Sequence, residues 1–222
     1  MLFPSLWPGV LVADASRPED TPALGVYIHW PFCSAICPYC DFNVHPVRDM
    51  QAADWRAGYF LALEHAQTMR ANGPVETVFF GGGTPSLMPP ELIGDLLADI
   101  DRRWGLAADA EISLEANPVS APEVRLQNLK AAGITRLSLG AQAFDSAALK
   151  FLGRTHSLEQ AEDAFVAARD IFDRASLDLI YARPDQTLEG WARELEHALA
   201  LEPAHMSLYQ LTIEPHTPFF TR

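Results

Sequence analysis

The feature that most constrains this chain is a regular alternation, beginning at residue 24, of short β-rich runs with longer segments of helical period. The runs are LGVYIH (24–29), VETVFF (75–80), AEISLE (110–115), TRLSLG (135–140), SLDLIY (176–181) and HMSLYQL (205–211), which predicts six strands. Between them, the stretch from Asp49 to Asn72 sets Trp55, Tyr59, Leu63 and Ala66 on one helical face, and Gly73 supplies a left-handed stop. Pro89 and Pro90 open a second helix, with Leu92, Leu96, Ile100 and Trp104 in a stripe ended by Gly105. A third helix runs over about 121–132 and stops at Gly133. Ser157 and Gln160 have the form of a capping box ahead of Ala161, Ala164, Phe165, Ala168 and Phe172. A last helix over about 188–200 groups Leu188, Trp191, Leu195 and Leu199.

Strands alternating with helices of this length imply right-handed βαβ units and a parallel sheet. Two α/β architectures suit six such strands: a doubly wound sheet and an incomplete TIM-like barrel. Both gather ligands at the C-terminal ends of the strands, so residues that carry chemistry should stand just after each strand. They do. The first strand leads into His29-Trp30-Pro31-Phe32-Cys33-Ser34-Ala35-Ile36-Cys37-Pro38-Tyr39-Cys40 and the second into Gly81-Gly82-Gly83-Thr84-Pro85. Glu115 ends the third, Gln142 and Arg154 follow the fourth, and the fifth contains Asp178. Residues 1–23, with four prolines and no periodicity, read as an extended N-terminal arm, which leaves 24–222 as the core domain.

All three cysteines, Cys33, Cys37 and Cys40, fall within eight residues. An odd number of thiols so clustered fits a disulfide framework poorly and points to metal in a reducing compartment. Three thiolates in one loop can hold a cubane cluster that needs four ligands, keeping one iron open. Structural zinc is the competing use, with His29 or His45 as a fourth ligand, although zinc loops usually present two separated pairs.

The formal charge of −13 and a sequence pI near 4.8 repel phosphate backbones, which argues against a nucleic acid partner. No apolar run reaches the roughly 18 residues a membrane span requires, and the opening MLFPSLWPGVLV lacks the basic start of a signal peptide. A cytoplasmic location is expected.

The C-x3-C-x2-C triplet after the first strand is the radical S-adenosylmethionine (SAM) signature. YIHWPFCSAICPYCDF, FFGGGTPSLM, LSLGAQAFD, LGRTHS and LDLIY, in that order, resemble the oxygen-independent coproporphyrinogen III oxidase-like family over about residues 24–220. The resemblance implies an incomplete (β/α)6 radical SAM barrel with parallel strands and a [4Fe-4S] cluster on Cys33, Cys37 and Cys40. The open iron would be chelated by SAM, which one electron cleaves to a 5′-deoxyadenosyl radical. It further implies that Tyr27 and Tyr39 lie near SAM, that Gly82, Gly83 and Thr84 hold its methionine end, and that Arg154 pairs with its carboxylate. Glu115, Gln142 and Asp178 would meet its amino group and ribose hydroxyls. Read without the resemblance, the glycine triplet is equally a plain βα turn, and each polar residue a solvated strand end or cap. Trp30, Phe32, Tyr39 and Phe42 would form an apolar collar around the cluster, or ordinary core.

The oxidases of this family resemble C-x3-C-x2-C-x-C, and here the further cysteine is replaced by Phe42. That departure favours the branch resembling the HemW heme chaperones, as does YQLTIEPHTPF from Tyr209. Heme is then cargo, haemoproteins the clients, a reductant the electron source, and a homodimer an admissible assembly. Two alternatives stay open: oxidative decarboxylation of coproporphyrinogen III, and a non-catalytic metal-binding or interaction domain. Where the family reads Y-G-L-P-G-Q-T, this chain has Tyr181-Ala182-Arg183-Pro184-Asp185-Gln186-Thr187, so two glycines are replaced and the charge pair Arg183/Asp185 appears. The loop is expected to be remodelled. Family members continue for another domain beyond Arg222, which implies a truncated chain with its C-terminal family domain absent and with Phe219 and Phe220 exposed.

Overall fold

The computed structural model describes residues 10–14, 24–47, 52–69 and 73–221. Strands β1 (Val10–Asp14), β2 (Leu24–Trp30), β3 (Val75–Gly82), β4 (Leu106–Ala116), β5 (Arg136–Gln142), β6 (Arg174–Tyr181) and β7 (His205–Gln210) form one sheet in that spatial order. Every pair from β2 to β7 is parallel. A doubly wound sheet reverses its strand order at a switch point. Here the order follows the sequence without reversal, and no β2–β7 pairing closes the ring, so the sheet is an incomplete barrel.

The expected six strands are all present, and a seventh joins them. Val10–Asp14, within the segment expected to be an arm, pairs antiparallel along β2 with Val12 opposite Val26. The rest of that segment, and the predicted helix ends at Asp49 and Asn72, lie outside the described residues.

Among the described residues, six α-helices connect the strands: α1 (Ala52–Met69), α2 (Pro90–Trp104), α3 (Glu123–Ala131), α4 (Ser146–Phe151), α5 (Leu158–Ile171) and α6 (Leu188–Ala200). The stop signals act as expected. Gly73, Gly105 and Gly133 all adopt positive φ, a region costly for residues with a Cβ. The Ser157/Gln160 capping box forms on α5, with side chain and backbone bonded reciprocally. Helix α4 lacks enough residues to show a period in the sequence; Asp145, accepting from the Ala148 N–H at 2.7 Å, starts it.

The two faces of the sheet differ. One face carries Val26, Ile28, Trp30, Val78, Phe80, Leu114, Leu137, Leu139 and Leu177, packed with the apolar stripes of the helices into a continuous core. The other carries Glu111, Ser113, Arg136, Ser138, Ser176 and Asp178, bonded to one another across strands: Arg136 donates to the hydroxyls of Ser113 (3.2 Å) and Ser176 (3.1 Å), and Ser138 to Asp178. Helix α6 departs from its predicted face. Trp191 and Leu195 pack on the core, but Leu188 and Leu199 are exposed and the buried members are Glu194 and Ala198.

Candidate functional site

Trp30 enters the cysteine loop from below. Trp30 and Phe32 are buried in the core, their rings 5.3 Å apart and edge-on, with Trp55 of α1 likewise edge-on to Phe32 at 5.0 Å. The Tyr59 hydroxyl donates to the His29 carbonyl at 2.7 Å and ties the strand end to the same helix. Of the two readings of these aromatics, Trp30 and Phe32 follow the core one and anchor the loop from underneath. Tyr39 is half-buried, and Phe42 is 61% exposed at the mouth of the site.

The three cysteines are free thiols. Burial pushes Cys33 and Cys40 up from the usual thiol range, so without metal both are protonated; a bound metal would deprotonate them outright. Among the described residues no three His, Cys, Asp or Glu side chains are arranged to hold a single ion. A cubane takes each thiolate at a different iron and asks for no such convergence. His29, the first residue weighed as a fourth zinc ligand, has its Nε2 3.0 Å from the Asn43 carbonyl, and the second, His45, is exposed in the strand pairing with Phe32.

Opposite the thiols, the glycine loop leaves β3. The missing Cβ atoms have specific uses: one on Gly81 would stand 2.8 Å from the Tyr27 ring, one on Gly82 2.6 Å from His29, and one on Gly83 3.0 Å from Cys33 Sγ and 2.8 Å from the Phe32 carbonyl. Backbone bonds from Gly83 N–H to Trp30 O (2.7 Å) and Thr84 N–H to Phe32 O (2.9 Å) lock the two loops together. Arg125, which the sequence reading passed over, clamps this loop from α3 by donating to the carbonyls of Ser86 (2.9 Å) and Met88 (2.6 Å). Nothing in a one-dimensional pattern marks an arginine whose partners are main-chain carbonyls.

Between the loops lies a cavity of about 350 Å³, a volume proper to a small-molecule site. It brings together Cys33, Cys37 and Cys40 with Tyr39, Gly82, Gly83, Thr84, Glu115, Gln142, Arg154 and Asp178. Tyr27 alone of the expected residues is not on the wall: it stacks on Phe79 at 5.9 Å under Gly81, and burial with the nearby Glu115 carboxylate pushes its phenol up to about 12. The walls also include Asn117, just after β4, and Tyr209, Leu211 and Glu214 at and beyond the end of β7. The rule that chemistry follows strand ends could have found these too.

The electrostatics are uneven. Glu115 accepts from the Gly82 N–H at 3.1 Å, yet burial, reinforced by the Asp178 charge, pushes its carboxyl up to about 7. Asp178 is likewise raised by burial, against the hydroxyls of Ser207 and Ser138 that favour its charge. Arg154 donates to Cys37 Sγ (3.2 Å) and to the Gly140 carbonyl (3.0 Å), while its Nε is buried without a partner. Gln142 sits at φ 71, in the left-handed region that side chains rarely adopt, where the β5 register shifts. Such strain is characteristic of functional positions. His156 of the LGRTHS motif faces the Ala141 carbonyl at 3.0 Å, and burial beside Arg154 lowers its pKa to about 4. It is a neutral brace.

The chain departs from the family pattern at Tyr181–Thr187, yet the backbone there is not that of a loop freed from glycine. Ala182 (φ 58) and Asp185 (φ 59) both hold left-handed conformations at the positions where the pattern has glycine. Arg183 pairs with Glu194 of α6 rather than with Asp185, which is exposed. Phe219, expected at the surface, is buried: its ring lies 4.9 Å from Phe151 and 6.3 Å from Tyr39, and its N–H donates to Pro38 O at 3.0 Å. Phe220 is exposed.

The model of the radical SAM superfamily matches residues 27–198, which contain every strand from β3 to β6 and all three cysteines. The chain belongs to the radical SAM superfamily. Among curated relatives it is 42% identical over 200 residues to the mouse mitochondrial radical S-adenosyl methionine domain-containing protein 1, covering 89% of this chain and 45% of that protein. It is 41% identical over 203 residues to the heme chaperone HemW of Escherichia coli, covering 90% and 54%. Among solved structures, the E. coli coproporphyrinogen III oxidase HemN, a radical SAM enzyme, superposes with a TM-score of 0.72 at 31% identity, over 87% of this chain and 45% of that one. The chain thus spans about half the length of the curated relatives it matches. Among the described residues no helix is long and apolar enough to cross a membrane.

Proposed function

We propose that this chain is the cluster- and SAM-binding barrel of a radical SAM heme chaperone, with heme as cargo, haemoproteins as clients and the cytoplasm as its place of work. The observation that carries the cofactor reading is the single cavity on which Cys33, Cys37 and Cys40 meet the glycine loop, Glu115, Gln142, Arg154 and Asp178. A bound [4Fe-4S] cluster with SAM supplies one-electron cleavage of the sulfonium. The residues of the chain supply placement. The Gly82-Gly83-Thr84 backbone can lie close to an amino acid moiety because no side chain intervenes. Arg154 offers a fixed guanidinium to a carboxylate, and Glu115 a carboxylate to an ammonium.

The chaperone reading over the oxidase is supported by Phe42 where the oxidases have a further cysteine, and by the higher identity to HemW than to HemN. The test is anaerobic reconstitution followed by iron, sulfide and SAM-cleavage analysis, then heme titration. About four irons per chain and stable heme binding are expected. One zinc per chain would defeat the cluster reading, and conversion of coproporphyrinogen III would favour the oxidase.

A further inference from the structure

The loop that departs from the family pattern brings a charged group into an apolar place. The side chain of Arg183 is 5% exposed and pairs with Glu194, itself buried. The Glu194 carboxylate is fully engaged, one oxygen meeting Arg183 and Gln186 Nε2 and the other accepting the Phe144 N–H at 3.0 Å. Arg183 Nη1, however, is buried with no hydrogen-bond partner. An orphaned guanidinium donor costs the protein stability unless something meets it.

Arg183 lines a cleft of about 400 Å³ whose other walls, among them Phe151, Pro184, Leu211, Ile213 and Phe219, bring no polar side chain. This cleft adjoins the cofactor cavity, since Leu211 lines both. Phe219 joins it to the cysteine loop through Tyr39 and Pro38. Its outer rim is apolar surface: Ile213 is 60% exposed.

We infer that this cleft receives the edge of the tetrapyrrole cargo, with one of its carboxylates on Arg183 Nη1 and its ring against Leu211, Ile213 and Phe151. The assignment rests on the heme reading above. Its chemistry is that of a large apolar body bearing anionic arms, which an otherwise acidic chain of formal charge −13 would repel except where a cation is held for it. Arg183 has donors to spare, because a guanidinium carries five and can serve two carboxylates at once. The competing location is the mouth of the cofactor cavity, where Phe42 and Ile36 are exposed; the guanidinium there, Arg154, also has an orphaned donor, but it already serves Cys37 Sγ and the Gly140 carbonyl and, in the reading above, the carboxylate of SAM.

The experiment compares protoporphyrin IX with its dimethyl ester, titrated into the anaerobically reconstituted chain and followed by porphyrin fluorescence. Wild type should bind the free acid about tenfold or more tightly than the ester, the worth of one charge-assisted hydrogen bond. The double variant Arg183→Leu/Glu194→Leu, which leaves no buried charge unpaired, should bind both alike. Ile213→Glu, which touches neither member of the ion pair, should weaken both about tenfold and so serves if the double variant does not fold. Equal binding of acid and ester by wild type, or loss of binding in Phe42→Ala with none in Ile213→Glu, overturns the cleft while leaving the heme reading intact. Absence of both heme and porphyrin binding overturns the heme reading itself.

Discussion

Arg154 Nη1 donates to Cys37 Sγ at 3.2 Å, across 117 residues of chain. The two meet because β5 and the short α4 deliver Arg154 to the same rim that the loop after β2 reaches with its thiols, and the Gly140 carbonyl accepts from the other arm of the guanidinium at 3.0 Å. A cation held at this rim would draw a ligand carboxylate. Arg154→Gln should therefore lower SAM affinity about tenfold to a hundredfold, the range for a lost charge-assisted bond. Arg154→Lys should recover only part of it, because an ammonium cannot span Cys37 and Gly140 together. Equilibrium dialysis of reconstituted protein with labelled SAM checks both.

Glu115 makes the ligand-free fold pH-dependent. Its carboxyl is raised by burial from 4.5 to about 7, so the folded chain holds this proton over a range where the unfolded chain has released it. The stability associated with Glu115 is full below about pH 4.5, falls as pH rises and levels off above about pH 7. The loss is on the order of 3 kcal/mol. Glu115→Gln should remove it, giving a variant more stable than wild type at pH 8 and similar at pH 4.5, as read by urea denaturation across that range. SAM, being cationic at the sulfonium and amino group, should bind wild type more tightly at pH 8 than at pH 6, and the Gln variant should lose this dependence.

Gly83→Ala should damage the site without touching a ligand. The new Cβ would press on the Phe32 carbonyl at 2.8 Å and on Cys33 Sγ at 3.0 Å, and a backbone atom cannot swing away as a long side chain can. Overpacking of this kind costs about 1–3 kcal/mol. A lower melting temperature together with reduced iron content after reconstitution is expected; a variant with full iron and unchanged melting would show that the two loops are not in register.

Ala182→Gly should stabilise the chain. Alanine at φ 58 carries the left-handed penalty that glycine avoids, about 1 kcal/mol, and this residue is exposed, so no packing is lost. The gain is partly offset by the greater freedom of glycine in the unfolded chain. A rise in urea midpoint at unchanged slope is the expected result, with Asp185→Gly (φ 59) giving a smaller one because Asp tolerates this region better.

Ser157→Ala removes the capping box of α5 and should cost about 1 kcal/mol with little effect on SAM binding. This separates general stability from site integrity, since Ser157, the last residue of the LGRTHS run, is exposed.

The sequence by itself determined the βαβ order, the helix caps, the parallel strands and the clustering of reactive residues after strand ends. These are local matters: period, glycine and proline positions, and side-chain oxygens near free backbone groups act within a few residues of chain. It also carried the cysteine spacing, which depends on one loop. Tertiary structure decided what depended on partners far away. Trp30 and Phe32 became an anchor beneath the site because α1 presents Trp55 and Tyr59 to them, and Phe42 was left outside. Residues 10–14 were recruited by the free edge of β2, which no period in that proline-rich segment announces. Arg125 and Arg183 acquired roles from carbonyls and a carboxylate on other elements. The loop at 181–187 kept left-handed backbone at positions 182 and 185 although its glycines are replaced, because β6, α6 and the Arg183–Glu194 pair constrain it more strongly than about 1 kcal/mol of local preference can resist.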